Sequence, residues 1–141
     1  MILPDVNVLI YAFQFDSPYY EVSRTWLTSV ITGDQAYGIS PQVVSSFLRI
    51  ATNPKIYSQP AKRNMAWDFA RNLMERPQCH LIQPGPRHWG IFVRLCEGAN
   101  ATGNLVQDAW FAALAIESGC EWITYDTDYA RFKGLRWRMP D

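Results

Sequence analysis

Four aspartates in this 141-residue chain stand where they could do chemistry. Asp126 and Asp128 flank a threonine in "WITYDTDYARF", at the mouth of an apolar, β-prone run. Asp108 lies in "GNLVQDAWFAALA", where offsets of −3, +4 and +7 give Leu105, Ala112 and Ala115, so an acid looks inward from a small apolar helix face. Asp5 closes "MILPD". Taken singly, each has an ordinary explanation. Aspartate is a common turn former, and a helix dipole favours an acid near the N-terminus. Taken together they repel one another, and at neutral pH some would take up protons. A divalent cation resolves the conflict, and clustered carboxylates with water select Mg2+ or Mn2+ rather than zinc. His80 and His88 have neither metal-ligand spacing nor neighbouring cysteines; they read as a strand residue and a helix-start residue without a ligand role. Such an acidic site supports phosphodiester hydrolysis by metal-activated water, with no serine, cysteine or histidine nucleophile. The chain has no GxxxxGKS/T loop and no GxGxxG turn, which argues against nucleoside triphosphate or dinucleotide cofactors.

The elements that must position these acids alternate. "MILPD" is a short strand, followed by "VNVLIYAF" as a helix or tight turn. "SPYYEVSRTWLTSVITGD" is a helix with Ser17 as cap and Pro18 in first position, its buried face marked by Val22, Trp26 and Val30. "QAYGIS" is a strand, and "PQVVSSFLRIA" a helix opened by Ser40 and Pro41. A further helix follows in "PAKRNMAWDFARNLMERP", with Ala66, Phe69, Ala70, Leu73 and Met74 as its apolar stripe. "CHLIQP" is a strand. "PRHWGIFVRLCEGAN" is a helix with Ile91, Phe92, Leu95 and Cys96 on one side. "GNLVQDAWFAALAIESGC" is a helix stopped at Gly119. "EWITY" and "LRWRMP" supply the last strands. This order implies a parallel sheet covered on both faces, with ligands bound beyond the carboxyl ends of its strands. Asp5 and Asp126 both fall at that edge.

Composition sets the remaining bounds. The length suits a single domain, residues 1–141, and 48% hydrophobic residues suffice for an unstapled core. Six tryptophans and seven tyrosines are many for this length, so some are expected at an interface. Thirteen basic and thirteen acidic residues give a formal net charge of zero, which does not announce a nucleic-acid binder. A local strip, Arg131, Lys133, Arg136 and Arg138 in "RFKGLRWR", would be enough for one, with a solvated terminal segment as the bland alternative. Cys79, Cys96 and Cys120 are far apart, without a CxxC pair, and read as buried reduced thiols of a cytoplasmic protein. Neither a signal peptide nor a run of membrane-spanning length is present, so no membrane association is expected.

The motifs "LPDVNVLIYAF", "SFLRIATNP", "GNLVQDAWFAALAIESGC" and "ITYDTDYARFKGLRWRMP", spread over nearly the whole chain, resemble the PIN-domain ribonucleases, and most closely the VapC-type toxins of type II toxin–antitoxin pairs. The resemblance implies a PIN-like three-layer α/β/α sandwich with a central, mainly parallel sheet. It also implies a Mg2+- or Mn2+-dependent endoribonuclease of the cytoplasm that forms a homodimer and is held by a cognate antitoxin protein. Asp5, Asp108 and Asp126 match metal ligands of the family, and Asp128 the last member of the catalytic set. Asn7 and Thr124 sit where polar residues assist the acids, and Asn104 could cap its helix and reach toward the pocket; a local turn or cap role serves each of the three equally well. Arg49, Arg131 and Arg136 are candidates for RNA phosphates. Tyr19, Tyr20, Trp26 and Trp67 are candidates for the dimer or antitoxin surface, with core packing as the alternative. One departure matters: where the family usually carries a glutamate this chain has Ser46, with Ser45 beside it, and neither supplies charge to a metal. That favours one cation over two.

The same departure motivates a second reading, a PIN-fold module that binds RNA or antitoxin without cutting. A receiver-like phosphoacceptor also gathers aspartates at a sheet edge, but it needs a mid-chain aspartate ending a central strand, and "CHLIQP" ends without an acid.

Overall fold

The computed structural model describes residues 1–57 and 59–141. Among the described residues, five strands, β1 (Ile2–Pro4), β2 (Tyr37–Ile39), β3 (Cys79–Leu81), β4 (Glu121–Ile123) and β5 (Trp137–Arg138), alternate with six helices. These are α1 (Val6–Phe13), α2 (Tyr20–Thr32), α3 (Pro41–Ala51), α4 (Arg63–Met74), α5 (His88–Ala99) and α6 (Asn104–Ser118); a 3-10 helix spans Thr127–Arg131. Every ladder is parallel: β1 with β4, β4 with β5, and β2 with β3. The strands form two hydrogen-bonded ladders, β1-β4-β5 and β2-β3. They meet where β2 lies against β1: a Cβ added at Gly38 would stand 3.3 Å from the Ile2 carbonyl oxygen and 2.8 Å from Ile82 Cγ1. The chain therefore runs outward from β1 through β2 to β3, then returns to build β4 and β5 on the other side. The reversal opens a crevice at the carboxyl ends of β1 and β4.

The helices form where the sequence places them, with three differences. Ser40 caps α3 by accepting the Val43 N–H, and Pro41 occupies its first position. α2, however, starts at Tyr20 rather than after Ser17, because Ser17 Oγ accepts the Tyr19 N–H and makes a turn of the preceding segment. Its buried face is Ser23, Trp26, Leu27 and Ile31; Val22 is exposed and Val30 half-buried, since a strict four-residue step drifts off a face that repeats every ~3.6 residues. Asn104 does not cap α6. Gly103 takes the cap position at φ 57, and Asn104 is the exposed first residue of the helix. Of the three free thiols only Cys120 is buried; Cys79 and Cys96 are half-exposed, Cys79 because β3 is an edge strand.

The core gathers Leu3, Val8, Leu9, Ile39, Phe47, Trp122 and Ile123 from the strands and the helices on them. α6 buries five consecutive residues, Phe111–Ala115, so it is enclosed nearly all round, and its alanines let its neighbours come close. Replacing Gly38 by alanine forces Ile82 or the β1 backbone to shift at the seam between the ladders. The expected result is a loss of about 1–3 kcal/mol in urea unfolding; a variant as stable as wild type would contradict the close approach of β2 to β1.

Candidate active site

The crevice between β1 and β4 is where the sequence delivers its acids. The Asp5 N–H donates to the Ile123 carbonyl at 2.9 Å, extending the β1–β4 pairing by one residue. The chain then turns directly into α1, with Asp5 as its cap: Oδ1 accepts the Val6 N–H at 2.6 Å. Oδ2 accepts the Thr124 hydroxyl at 2.7 Å and the Asn7 amide at 3.3 Å. Thr124 is fully buried, and its hydroxyl also accepts the Asn7 amide at 3.1 Å and the Asp126 N–H at 3.0 Å. One donation and two acceptances complete its hydrogen-bonding capacity. Asn7 Oδ1 takes the Tyr125 N–H at 3.2 Å. Asn7 and Thr124 are thus long-range ties between the start of α1 and the end of β4.

Asp126 caps the 3-10 helix, its Oδ1 accepting the Asp128 N–H at 2.9 Å. Asp126 thus fills the turn role that the sequence allows it. Asp128 is exposed and lies 3.6 Å from Arg131 Nε. Asp108, half-buried in the second turn of α6, receives the Tyr129 hydroxyl at 3.4 Å. Sequence reasoning missed Tyr129. Its one signal was its place three residues after Asp126, the spacing at which 3-10 side chains align.

Electrostatics couples these groups. Burial pushes the Asp5 carboxyl up to about 6 against the hydrogen bonds from Thr124 and Val6, and the charges of Asp108 and Asp126 add to the rise. Asp108 is also raised, by burial first and then by Asp126, with a smaller push from Asp128; the Tyr129 bond opposes it. The Tyr129 phenol, buried among Asp5, Asp108 and Asp126, is raised far beyond the usual range, so it stays a donor.

Other candidates lie elsewhere. Arg136 stands at the opposite end of the sheet: its carbonyl accepts the Trp122 N–H at the start of β4, and its guanidinium donates to the Gly119 carbonyl at 2.7 Å. It is remote from the acids because β5 runs parallel to β4 and Arg136 precedes it. Arg49 is exposed in the last turn of α3, beside a shallow hollow with Leu48 and Trp67. Ser46 is half-buried and Ser45 exposed on the same helix. Trp26 belongs to the core, whereas Tyr19 is exposed and packs its ring on Tyr11 and Tyr125. Tyr20 is half-buried, and so is Trp67, under the guanidinium of Arg63. His88 is buried, with Nε2 2.9 Å from the Trp110 carbonyl; His80 is exposed on β3.

A family model described as PIN domain matches residues 2–135. The chain belongs to the PIN-domain family, in its VapC group. Ribonuclease VapC25 of Mycobacterium tuberculosis is 36% identical over 140 residues, which cover 99% of each chain. Ribonuclease VapC43 of the same species is 35% identical over 140 residues, covering 99% of this chain and 95% of the relative. Among solved structures, VapBC2 from Rickettsia felis bound to a DNA fragment from their promoter aligns over all of both chains, with a TM-score of 0.71 at 16% identity. VapBC-1 from nontypeable Haemophilus influenzae aligns with a TM-score of 0.68 at 16% identity, covering 99% of this chain and 98% of that one. At such identities the likeness concerns the fold.

PIN-domain acids invite the test of whether this set suits a divalent cation. Asp5 Oδ1, Asp108 Oδ1 and Asp126 Oδ1 each accept one hydrogen bond, and a carboxylate oxygen has two acceptor positions. The donor set is all oxygen, as hard cations prefer. Among the described residues no three acidic, histidine or cysteine side chains form a ready-made cluster, so the set is coupled but looser than a finished cage. It fits a cation by chemistry and charge.

The raised Asp5 sets a pH dependence opposite to that of an ordinary salt-bridged aspartate. Folded Asp5 holds its proton up to about pH 6 while the unfolded group releases it near 3.8, so the contribution is full below pH 3.8 and is lost as pH rises through 6. The shift corresponds to about 3 kcal/mol. In metal-free buffer, urea unfolding should show wild type losing stability relative to Asp5→Asn between pH 4 and pH 7. A gain over that window would contradict the buried, repelled carboxylate.

Proposed function

We propose that this chain, taken as one PIN domain over its 141 residues, is a divalent-metal-dependent endoribonuclease and the toxin of a toxin–antitoxin pair acting in the cytoplasm. The observation that carries this reading is the convergence of Asp5, Asp108 and Asp126 at the reversal point of a parallel sheet, where the charges of Asp108 and Asp126 add to the rise that burial gives Asp5 and the charge of Asp126 adds to that of Asp108. Full-length relatives named as ribonucleases support it.

Asp5, Asp108 and Asp126 would hold one Mg2+ or Mn2+ ion, since Ser46 offers no further charge. The bound ion would polarise the scissile phosphate and lower the pKa of an attacking water. Thr124 and Asn7 fix the Asp5 carboxylate through its Oδ2, and Tyr129 aims Asp108. Asp128, exposed beside Asp126, would orient the water and take its proton. The neighbouring Arg131 can engage an RNA phosphate, while Arg136 is too remote from the acids to share that strand contact. A homodimer and a cognate antitoxin complete the proposal; the solved relatives named as VapBC support the antitoxin. Among the described residues no helix is long and apolar enough to cross a membrane.

Asp5→Asn or Asp108→Asn should reduce Mg2+- or Mn2+-dependent cleavage of RNA below detection with the circular dichroism spectrum unchanged, and excess chelator should do the same to wild type. Thr124→Val, which removes the support rather than the ligand, should lower the rate about 10- to 100-fold. Wild-type rates in either aspartate variant, or in chelator, would exclude the mechanism. Absence of Mn2+ binding by calorimetry would favour the non-cleaving module instead.

A further inference from the structure

Beside the acids lies a second, oppositely charged feature. A cavity of about 400 Å3 is lined by Arg94, Leu95 and Gly98 of α5, by Arg131 at the end of the 3-10 helix, and by Lys133 and Gly134 of the loop after it. Three of the six lining residues are cations and none is an acid. The local backbone puts them there. Phe132 is extended and its side chain is buried, so Arg131 and Lys133, its neighbours on either side, both point away from the core. Leu95 is buried, and Arg94, next to it on α5, is exposed. A Cβ at Gly98 or Gly134 would meet nothing within 4 Å, so the cavity is open between its cations.

Its position gives it a task. Arg131 reaches Asp128 at 3.6 Å, and the Asp128 N–H is bonded to Asp126, so one wall of the cavity begins where the acids end. Four carboxylates repel a phosphodiester chain, and screening confines that repulsion, and any compensating attraction, to about 8–10 Å in physiological salt. A protein of zero net charge has no general attraction to offer. We infer that the cavity lined by Arg94, Arg131 and Lys133 is a binding site for the phosphate backbone of single-stranded RNA, holding the strand next to the acidic crevice. The inference rests on the ribonuclease reading; it assigns Arg94 a part that the sequence motifs do not give it and joins it to Arg131 and Lys133 of the basic strip. Arg131 serves as the link between the two sites, and Arg136 lies outside both.

Binding of a labelled single-stranded RNA, followed by fluorescence anisotropy in Mg2+ as salt is raised, tests it. The parent protein carries Asp108→Asn so that the strand stays whole. Arg94→Gln with Lys133→Gln should weaken binding about tenfold near physiological salt and flatten the log–log salt slope by about 1.4, two lost contacts at about 0.7 each. Arg71→Gln, the same change at an exposed arginine on α4, should leave both values at the parent's. Equal weakening by Arg71→Gln overturns the site, because net charge alone would then act. Unchanged RNA affinity in the double variant also overturns it, including the case where that variant has lost a protein partner, and so does a parent that binds no RNA. Cleavage by wild type alongside an unaffected double variant removes the cleft and leaves the ribonuclease reading. Wild type that cuts no RNA, alongside a weakened double variant, does the reverse.

Discussion

A carboxylate held out of water between two parallel strands constrains everything around it. Asp5 is 7% exposed, and ionising such a group costs several kcal/mol unless donors or a cation answer it. The fold supplies donors from three places: the Val6 amide at the start of α1, the Asn7 amide one residue on, and the Thr124 hydroxyl at the end of β4. These stabilise the anion but do not restore its ordinary proton affinity. The remainder is what a cation would relieve. A site that binds a cation by relieving its own repulsion must be held together by bonds that do not depend on the cation. The Thr124 hub, bonded to Asp5, Asn7 and Asp126 at once, has that character.

Bringing a third acid to this point is a packing problem before it is an electrostatic one. α6 carries Asp108 and must approach the sheet closely. Ala109, Ala112, Ala113 and Ala115 are all buried and have no bulk to hold it off. Trp122 fills the space under the helix, stacked on Phe111 and tilted against Tyr129, and Tyr129 reaches Asp108 from the other side. Tyr129 is therefore both a core ring and the donor that aims an acid. Its hydroxyl donates only while protonated, and burial first, then the surrounding acids, keep it so.

The elements and the acids were legible in the sequence for different reasons. Helix α3 announced itself through Ser40 and Pro41, and the strands through short apolar runs between helices. The convergence of Asp5 and Asp126 followed from the rule that parallel strands share a carboxyl edge. Less legible was whatever depended on a side chain's third partner. Asn7 and Thr124 each had a local explanation, and only the register of β1 on β4 shows that they bond across more than a hundred residues. Asn104 looked like a cap until Gly103 took the place beside it. Arg136 and Arg131 are five residues apart in one basic run, yet β5 carries the first to the far edge and the 3-10 helix holds the second at the site. Charge patterns along a chain do not show such a division.

That division explains how a neutral protein could handle a polyanion. In the segment from Asp126 to Gly134, the acids come first, Asp126 half-buried beside Thr124 and Asp128 exposed at the rim. The bases follow and turn outward, one step farther along the surface. The 3-10 helix between them is short enough that Asp128 and Arg131 still touch, so the field changes sign over the length of one ion pair. A cation in the crevice would then be bound against three negative charges, while a strand of phosphates would meet positive charge immediately beside them. Basicity spread over the whole surface would weaken the first of these fields to serve the second. A basic rim set one ion pair away from the acids would let both persist.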